Sequence, residues 1–261
     1  MLEFRNVTIQ YGNDLPVLNH FSLSLEKGEI ISLVGESGSG KSTVLNAALG
    51  LLPGKGRITE GDILLDGNSV LGLNEKKWQR IRGSKAAAVP QDAGAALDPI
   101  MPVGKQFVEY LCTHEAADKK TAGKQAVKML EDAGLPDAEH VMESYPFQLS
   151  GGQRQRVGIA MAMALHPDYL LADEPTSALD TTTQAQIVVR IRELRRRYEA
   201  GILLITHNLA LAAYLSDQIY VLKEGRLVDS GTREEILNHP HSRYTEALIR
   251  AVPCLGGDRY V

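Results

Sequence analysis

Cysteine is scarce in this sequence: two residues in 261, Cys112 and Cys254, whose spacing matches no metal-ligand pattern. That scarcity argues against a disulfide scaffold and fits a reducing compartment. Each thiol is read as structural or as a surface group. Long apolar runs are missing too. The most apolar stretch, GIAMAMALHPDYLLA, is broken by His166, Pro167 and Asp168, well short of the roughly 20 apolar residues that a spanning helix needs. The opening MLEFRNVTIQ reads as a strand and lacks the charged, apolar and small-residue regions of a signal peptide. Nor is positive charge in excess, since 28 Lys and Arg against 32 Asp and Glu leave a formal net charge of −4. No strong field announces a nucleic-acid partner, and no internal repeat is visible. These absences predict a mildly acidic, soluble chain with ample core, organised as one compact unit with an insertion.

Glycine and serine, by contrast, crowd around one lysine in GESGSGKST, residues Gly35 to Thr43, directly after the apolar run EIISLV. The segment fits Gly-x-x-x-x-Gly-Lys-[Ser/Thr], with Gly35, Gly40, Lys41 and Ser42 in the fixed positions. A strand ends, the chain turns tightly, and STVLNAALGLL begins a helix with apolar residues at helical spacing. Glycines clear room for a phosphate chain. Backbone N–H groups of Ser37, Gly38 and Thr43 and their neighbours can then point at phosphate oxygens, with the positive end of the helix behind them. Lys41 reaches the outer phosphates, and Ser42 offers its hydroxyl to Mg²⁺.

A second apolar strand, YLLADEP, carries Asp173 and Glu174 at its carboxyl end, the edge where ligands sit in open parallel sheets. Asp173 is placed to hold Mg²⁺ through water, and Glu174 to orient and polarise the water that attacks a γ-phosphate. Between the two motifs lies LSGGQRQRVGIAMAMAL. Taken alone, Ser150-Gly151-Gly152 before an amphipathic helix is an ordinary N-cap with a flexible lead-in.

Leu149-Ser150-Gly151-Gly152-Gln153, in the order phosphate loop, this pentapeptide, acidic strand, resembles the signature of the ATP-binding cassette (ABC) ATPases, and the resemblance covers nearly the whole chain. It implies an α/β fold of the P-loop type, with a mixed core sheet, an antiparallel β subdomain and an α-helical subdomain, and it implies ATP hydrolysis. Two cassettes of that family pack head to tail, so that Ser150, Gly151 and Gly152 would face the partner's γ-phosphate, with Gln153 beside them in the nucleotide-binding set. Gln91 in AVPQDAGAALDP resembles the glutamine that contacts Mg²⁺ and the attacking water. Asp180 in SALD looks like the aspartate that communicates across the dimer, His207 in ILLITHN like the histidine that senses the γ-phosphate, and Tyr11 like the aromatic that stacks on adenine. An aromatic in an edge strand is also ordinary.

The strands LEFRNVTIQY, FSLSLE and GDILLDG alternate as a half-exposed antiparallel sheet does, whereas EIISLV, YLLAD and GILLIT are continuous apolar runs of a buried parallel one. KKTAGKQAVKMLEDAGL has amphipathic helical spacing. The charged run RELRRRYE reads as a solvated helix face. We therefore expect an ATPase domain over residues 1–231, a helical subdomain inserted at about 92–165, and a helical tail over 232–261.

One cassette without a membrane span points to a separate ATPase subunit. The tail GTREEILNHPHSRYTEALIRAVP, together with SYPFQLSGGQRQR and ALDP, resembles ATPases of peptide and nickel importers. That likeness implies permease subunits as partners, a second ATPase chain in a heterodimer (a homodimer being possible), an extracytoplasmic substrate-binding protein acting indirectly, and a peripheral place on the cytoplasmic face of the cell membrane. Other ABC transporters, exporters included, and non-transport ABC ATPases acting on nucleic acid or ribosomes are the alternatives. No coiled-coil or zinc insertion of the DNA-repair type is present. Many importer relatives continue into a cysteine-rich extension, whereas here only Cys254 precedes the last residues, so no iron–sulfur cluster is expected. Peptide and nickel are not separable from these residues.

Overall fold

In the computed structural model residues 1–252 are described apart from Ala116, Ala117 and Ala178, with the backbone alone of Cys254–Leu255 and Asp258–Arg259. The expectation concerning a cluster at Cys254 therefore lies outside the described side chains, as does the end of the expected tail. The chain divides into two units, one made of Met1–Gln79 with Gly201–Val261 and the other of Arg80–Ala200.

The first unit opens with β1 (Leu2–Tyr11), β2 (Leu18–Leu25), β3 (Ile30–Val34), α1 (Lys41–Ala48), β4 (Gly56–Leu65), β5 (Asn68–Ser69) and α2 (Glu75–Ile81), the last running into the second unit. Strand β1 lies between β2 and β4, antiparallel to both, with β5 on the outer edge. The alternation read from the sequence is real in β2, where Leu18, Phe21, Leu23 and Leu25 are buried and their neighbours are not. In β1 it fails between Phe4 and Val7, because the register shifts where Asn6 adopts a φ of 51°, as a β-bulge does. Phe4 and Phe21 meet edge to face with ring centroids 5.5 Å apart. Burying each such side chain contributes about 1.5–3 kcal/mol, which fixes the face that β1 and β2 turn inward.

The second unit comprises β6 (Ala86–Val89), α3 (Val103–His114), α4 (Lys119–Asp132), α5 (Ala138–Glu143), α6 (Gly151–Met163), β7 (Tyr169–Asp173) and α7 (Thr181–Tyr198). Strands β6 and β7 pair in parallel. Between them in sequence the helices bury one stripe each, including Phe107 and Leu111 of α3, Ala126 and Met129 of α4, and Val157 and Met163 of α6. Asp118 caps α4 by accepting from the N–H groups of Lys120 and Thr121. The charged run near the end of α7 is only partly solvated. Leu194 is buried, Arg197 is ion-paired with Asp132 of α4, and the Tyr198 hydroxyl donates to Asp132 Oδ2 at 2.9 Å.

The chain then completes the first unit with β8 (Gly201–Thr206), α8 (Leu209–Leu215), β9 (Gln218–Lys223), β10 (Arg226–Thr232), α9 (Arg233–Asn238) and α10 (Arg243–Arg250). Strand β3 pairs in parallel with β8 on one side and β9 on the other, and β10 adds antiparallel to β9, so this sheet is mixed. Every residue of β3 and β8 is buried, which explains the unbroken apolar runs. Strands β6, β9 and β10 are among the elements not read from the sequence. Strand β6 is four residues of mostly alanine, while β9 and β10 form a hairpin across Glu224-Gly225, whose φ values are 47° and 76°. Positive φ at both central residues is the requirement of a type I′ turn.

Candidate functional site

The phosphate-loop segment leaves the buried end of β3 at Val34 and enters α1 at Lys41. Two glycines make that turn possible for different reasons. At Gly35 a Cβ would lie 2.2 Å from the Leu222 carbonyl oxygen of β9, so the backbone passes too close for any side chain. At Gly40 the φ of 106° belongs to the left-handed side, and Gly40 is also the N-cap of α1, with no side-chain hydrogen bond closing the cap. A helix start left without a capping side chain presents its first N–H groups and the positive end of its dipole outward. The β9–β10 turn braces the loop from behind, the Gly225 N–H donating to the Ser39 carbonyl at 3.0 Å.

Lys41 is buried, with 6% of its surface exposed, and its ammonium donates to the carbonyls of Gly35 and Glu36 at 2.7 Å each. Ser37 and Gly38 are exposed at the tip, Ser42 is exposed, and Thr43 is half-buried in the first turn. The Ser39 hydroxyl was not among the expected groups. Its Oγ is buried and makes no hydrogen bond among the described residues. A buried hydroxyl without a partner costs on the order of 1–3 kcal/mol, and an anionic oxygen seated on the loop would satisfy it. The signal was present in the sequence as the serine between Gly38 and Gly40.

Two further candidates belong to the first unit. Tyr11 ends β1 opposite Gly56, where an added Cβ would stand 2.7 Å from the Tyr11 ring. His207 is exposed immediately after β8, held between Thr206, whose Oγ1 accepts from the Asn208 N–H at 3.0 Å, and Asn208, which caps α8 by accepting from the Leu211 N–H at 3.1 Å.

In the second unit Asp173 is the last residue of β7, half-buried after four fully buried residues. Glu174 follows with a φ of 43°, a left-handed conformation that a non-glycine side chain adopts at a cost and that clusters at functional positions. The turn after it is tied down by the Ser177 hydroxyl, which donates to the Glu174 carbonyl at 3.2 Å and accepts from Gln91 Nε2 at 3.1 Å. Gln91 and Glu174 are thus linked through one serine. With its nitrogen engaged there, Gln91 has its amide oxygen as the group able to bind a cation.

Ser150 caps α6. Its Oγ accepts from the Gln153 N–H at 3.3 Å while Gln153 Oε1 accepts from the Ser150 N–H at 2.8 Å, the reciprocal capping box. Gly151 is exposed and Gly152 buried, a Cβ there meeting Thr183 at 2.5 Å. Asp180 caps α7, accepting from Thr183 Oγ1 at 2.7 Å and from the Thr183 N–H at 3.0 Å. Those bonds, the hydroxyl's first and the backbone's second, hold its carboxyl below the usual carboxylate range. Ser42 in the first unit and Gln91 and Asp173 in the second each carry an oxygen donor of the hard kind that Mg²⁺ takes. Among the described residues no cluster of three or more His, Cys, Asp and Glu offers an all-protein metal site, and no helix is long and apolar enough to cross a membrane.

The description of the ABC transporter family matches residues 18–177. The chain is 41% identical over 257 residues to the dipeptide transport ATP-binding protein DppD of Lactococcus lactis subsp. cremoris, covering 97% of this chain and 74% of that one. It is 40% identical over 259 residues to the oligopeptide transport ATP-binding protein OppD of Bacillus subtilis, covering 98% and 72%. Among solved structures it is similar to a dimeric bacterial ABC transporter cassette, with a TM-score of 0.79 at 32% identity over 89% of this chain and 99% of that one. It is also similar to cbiO1 of Clostridium perfringens, part of the cbiONQ transporter complex, with a TM-score of 0.80 at 26% identity over 91% and 90%. With likeness running through nearly the whole chain and an uncapped, glycine-cleared helix start where the phosphates of ATP would lie, the chain belongs to the ABC transporter family as one of its ATP-hydrolysing cassettes.

Proposed function

We propose that this cassette supplies the ATP-driven stroke of an importer for peptides, as a peripheral subunit on the cytoplasmic face of a membrane. The observation that carries the ATP half is the start of α1: a helix N-terminus without a capping side chain, with a buried ammonium held on the loop in front of it. The cargo class rests on the relatives, which are named for dipeptide and oligopeptide transport, and it displaces nickel as the first choice. Cargo itself would be selected by permeases and an extracytoplasmic binding protein.

The chemistry follows from the roles open to each group. Lys41 gives its ammonium to the outer phosphates, and the N–H groups at the start of α1 fix the phosphate chain. Tyr11 lies under the adenine. Glu174 accepts a hydrogen bond from the attacking water and orients it in line with the γ-phosphorus, and His207 and Gln91 report the presence of that phosphate. Ser42, Gln91 and Asp173 would hold Mg²⁺, which would supply neutralisation of charge on the phosphate oxygens. Ser150, Gly151, Gly152 and Gln153 serve a second copy or a related chain packed head to tail, with Asp180 carrying the state of one site to the other. Closure on ATP and parting after hydrolysis then bias the permeases between two arrangements. Residues 1–231 form the ATPase domain in this reading, with 92–165 as the subdomain that meets the permeases and 232–261 as its tail.

The test is to capture the Glu174→Gln protein with Mg-ATP from solubilised native membranes. Mass spectrometry should find a permease pair, a second cassette chain or this one doubled, and a binding protein carrying peptide. Recovery of ribosomal or DNA-associated chains without membrane proteins would overturn the transport reading and leave the ATPase chemistry standing; a nickel chelate on the binding protein would overturn the cargo alone.

A further inference from the structure

The tail helix α10 reaches the phosphate loop. The Tyr244 hydroxyl accepts a hydrogen bond from the Glu36 N–H at 3.1 Å across 208 positions of sequence. Glu36 is the residue whose carbonyl, with that of Gly35, holds the Lys41 ammonium. A single loop peptide neighbourhood is therefore gripped from two directions, by the tail on its N–H and by the catalytic lysine on its carbonyl.

The tail that delivers Tyr244 is fastened to the same unit independently of the loop. Asp229 of β10, with its side chain 1% exposed, accepts from the N–H groups of His241 at 2.9 Å and Ser242 at 3.2 Å. Ser242 in turn caps α10 through the N–H groups of Tyr244 and Thr245. Ile249 and Val252 pack with Val34 of β3 and with Ile219 and Val221 of β9 in one apolar cluster. The Lys223 ammonium lies 5.0 Å from the centre of the Tyr244 ring, which adds a cation–π contact. Burial of that ring, with the Glu36 carboxylate beside it, raises the phenol above its usual range against the opposing pull of the Glu36 N–H.

Resting on the ATPase reading above, we propose that Tyr244 is a positioning residue for the phosphate loop: its hydroxyl fixes the Glu36 peptide and thereby sets the loop, with Lys41 on it, in the shape that receives a nucleoside triphosphate. The tail thus tunes affinity for ATP. A loop fixed before binding loses less entropy when the phosphates arrive. Removing one hydrogen bond of this kind weakens binding by roughly two- to tenfold, and because the group touches no reacting atom the loss falls on KM.

The test is Tyr244→Phe, which keeps the ring, its packing and the contact with Lys223 while deleting the hydroxyl. Fluorescent trinitrophenyl-ATP is titrated into both proteins, ATPase rates are taken over a range of ATP concentrations, and amide exchange is followed across residues 34–41. The expected result is a two- to tenfold rise in Kd and KM, kcat within about twofold, faster exchange at Glu36, and an unaltered melting temperature without nucleotide. Wild-type Kd and KM in the Phe variant would overturn the inference, as would a fall in kcat alone or a rise in Kd that merely tracks a lowered melting temperature. A wild-type protein that binds no nucleotide would instead overturn the ATPase reading on which it rests.

Discussion

Two glycine-rich helix starts in this molecule have opposite chemistry. At α1 the N-cap is Gly40, left-handed and without a side chain, and no side-chain bond closes the first turn. At α6 the N-cap is Ser150, and Ser150 and Gln153 satisfy each other's backbone in a reciprocal box before any ligand arrives. Both starts are rich in glycine; the residues that cap them differ. A helix start without a cap has N–H groups to give to an anion, and a capped one is already content as part of the fold. The α6 start therefore brings its serine to any partner phosphate as a group that must share or leave an existing bond, whereas the α1 start has no N-cap side chain to displace.

The sharpest way to separate binding from chemistry is Glu174→Gln, at the end of β7. Removing the carboxylate proposed to polarise the attacking water should lower the hydrolysis rate by about 10²–10⁴, with nucleotide affinity retained because α1 is untouched. A fall in affinity of similar size would show that Glu174 serves binding and would blur the contrast between the two regions. Gly35→Ala should produce the next largest effect. Its Cβ would fall 2.2 Å from the Leu222 carbonyl, so loop or strand must shift, at about 1–3 kcal/mol for an overpacked site. Thermal unfolding and nucleotide titration should both deteriorate. An unchanged protein would mean that the close approach behind the loop relaxes at no cost.

Ser150→Ala tests the capped side of the comparison. Loss of this cap should lower stability by about 1 kcal/mol, read as a lower melting temperature of the nucleotide-free chain, with Ser150→Asn restoring most of it. No shift would mean that the box contributes nothing to α6 and that Ser150 is reserved for phosphate.

The turn from β3 into α1 was legible in the sequence because glycines at fixed spacing mark where the backbone needs a close approach, as at Gly35 beside the Leu222 carbonyl, or a left-handed φ, as at Gly40. Continuous apolar strands were legible for a similar reason, burial on both faces leaving no alternation to hide. The tail was harder. Asp229 in β10 looks like an outward polar residue by alternation, yet its buried carboxylate gathers two N–H groups from a turn twelve and thirteen residues later. Glu224-Gly225 was readable as a hairpin turn in principle, but glutamate is not among the residues expected at positive φ. α1 also ends sooner than its apolar pattern suggested, at Ala48, where Gly50 turns left-handed and STVLNAALGLL leaves the helix. Ser150 carried two meanings from the outset; the capping box is the one the geometry displays, and the phosphate contact is the one the proposed dimer requires.

The smallest effect carries the most specific information, because it has opposite signs in two measurements. Ser39 Oγ is buried in the loop with no hydrogen-bond partner among the described residues. Ser39→Ala removes an unsatisfied hydroxyl, and with it a desolvation cost of about 1 kcal/mol or more, so the nucleotide-free protein should melt at the same temperature or slightly higher. If the hydroxyl is kept for the phosphate chain, the same change should weaken ATP binding and shrink the rise in melting temperature at a fixed ATP concentration, which follows RT ln(1 + [L]/Kd). A lower melting temperature without nucleotide would mean that the hydroxyl supports the fold. An ATP-induced shift equal to that of the wild type would mean that it does not face the nucleotide, and the uncapped helix start would then act through its backbone and Lys41 alone.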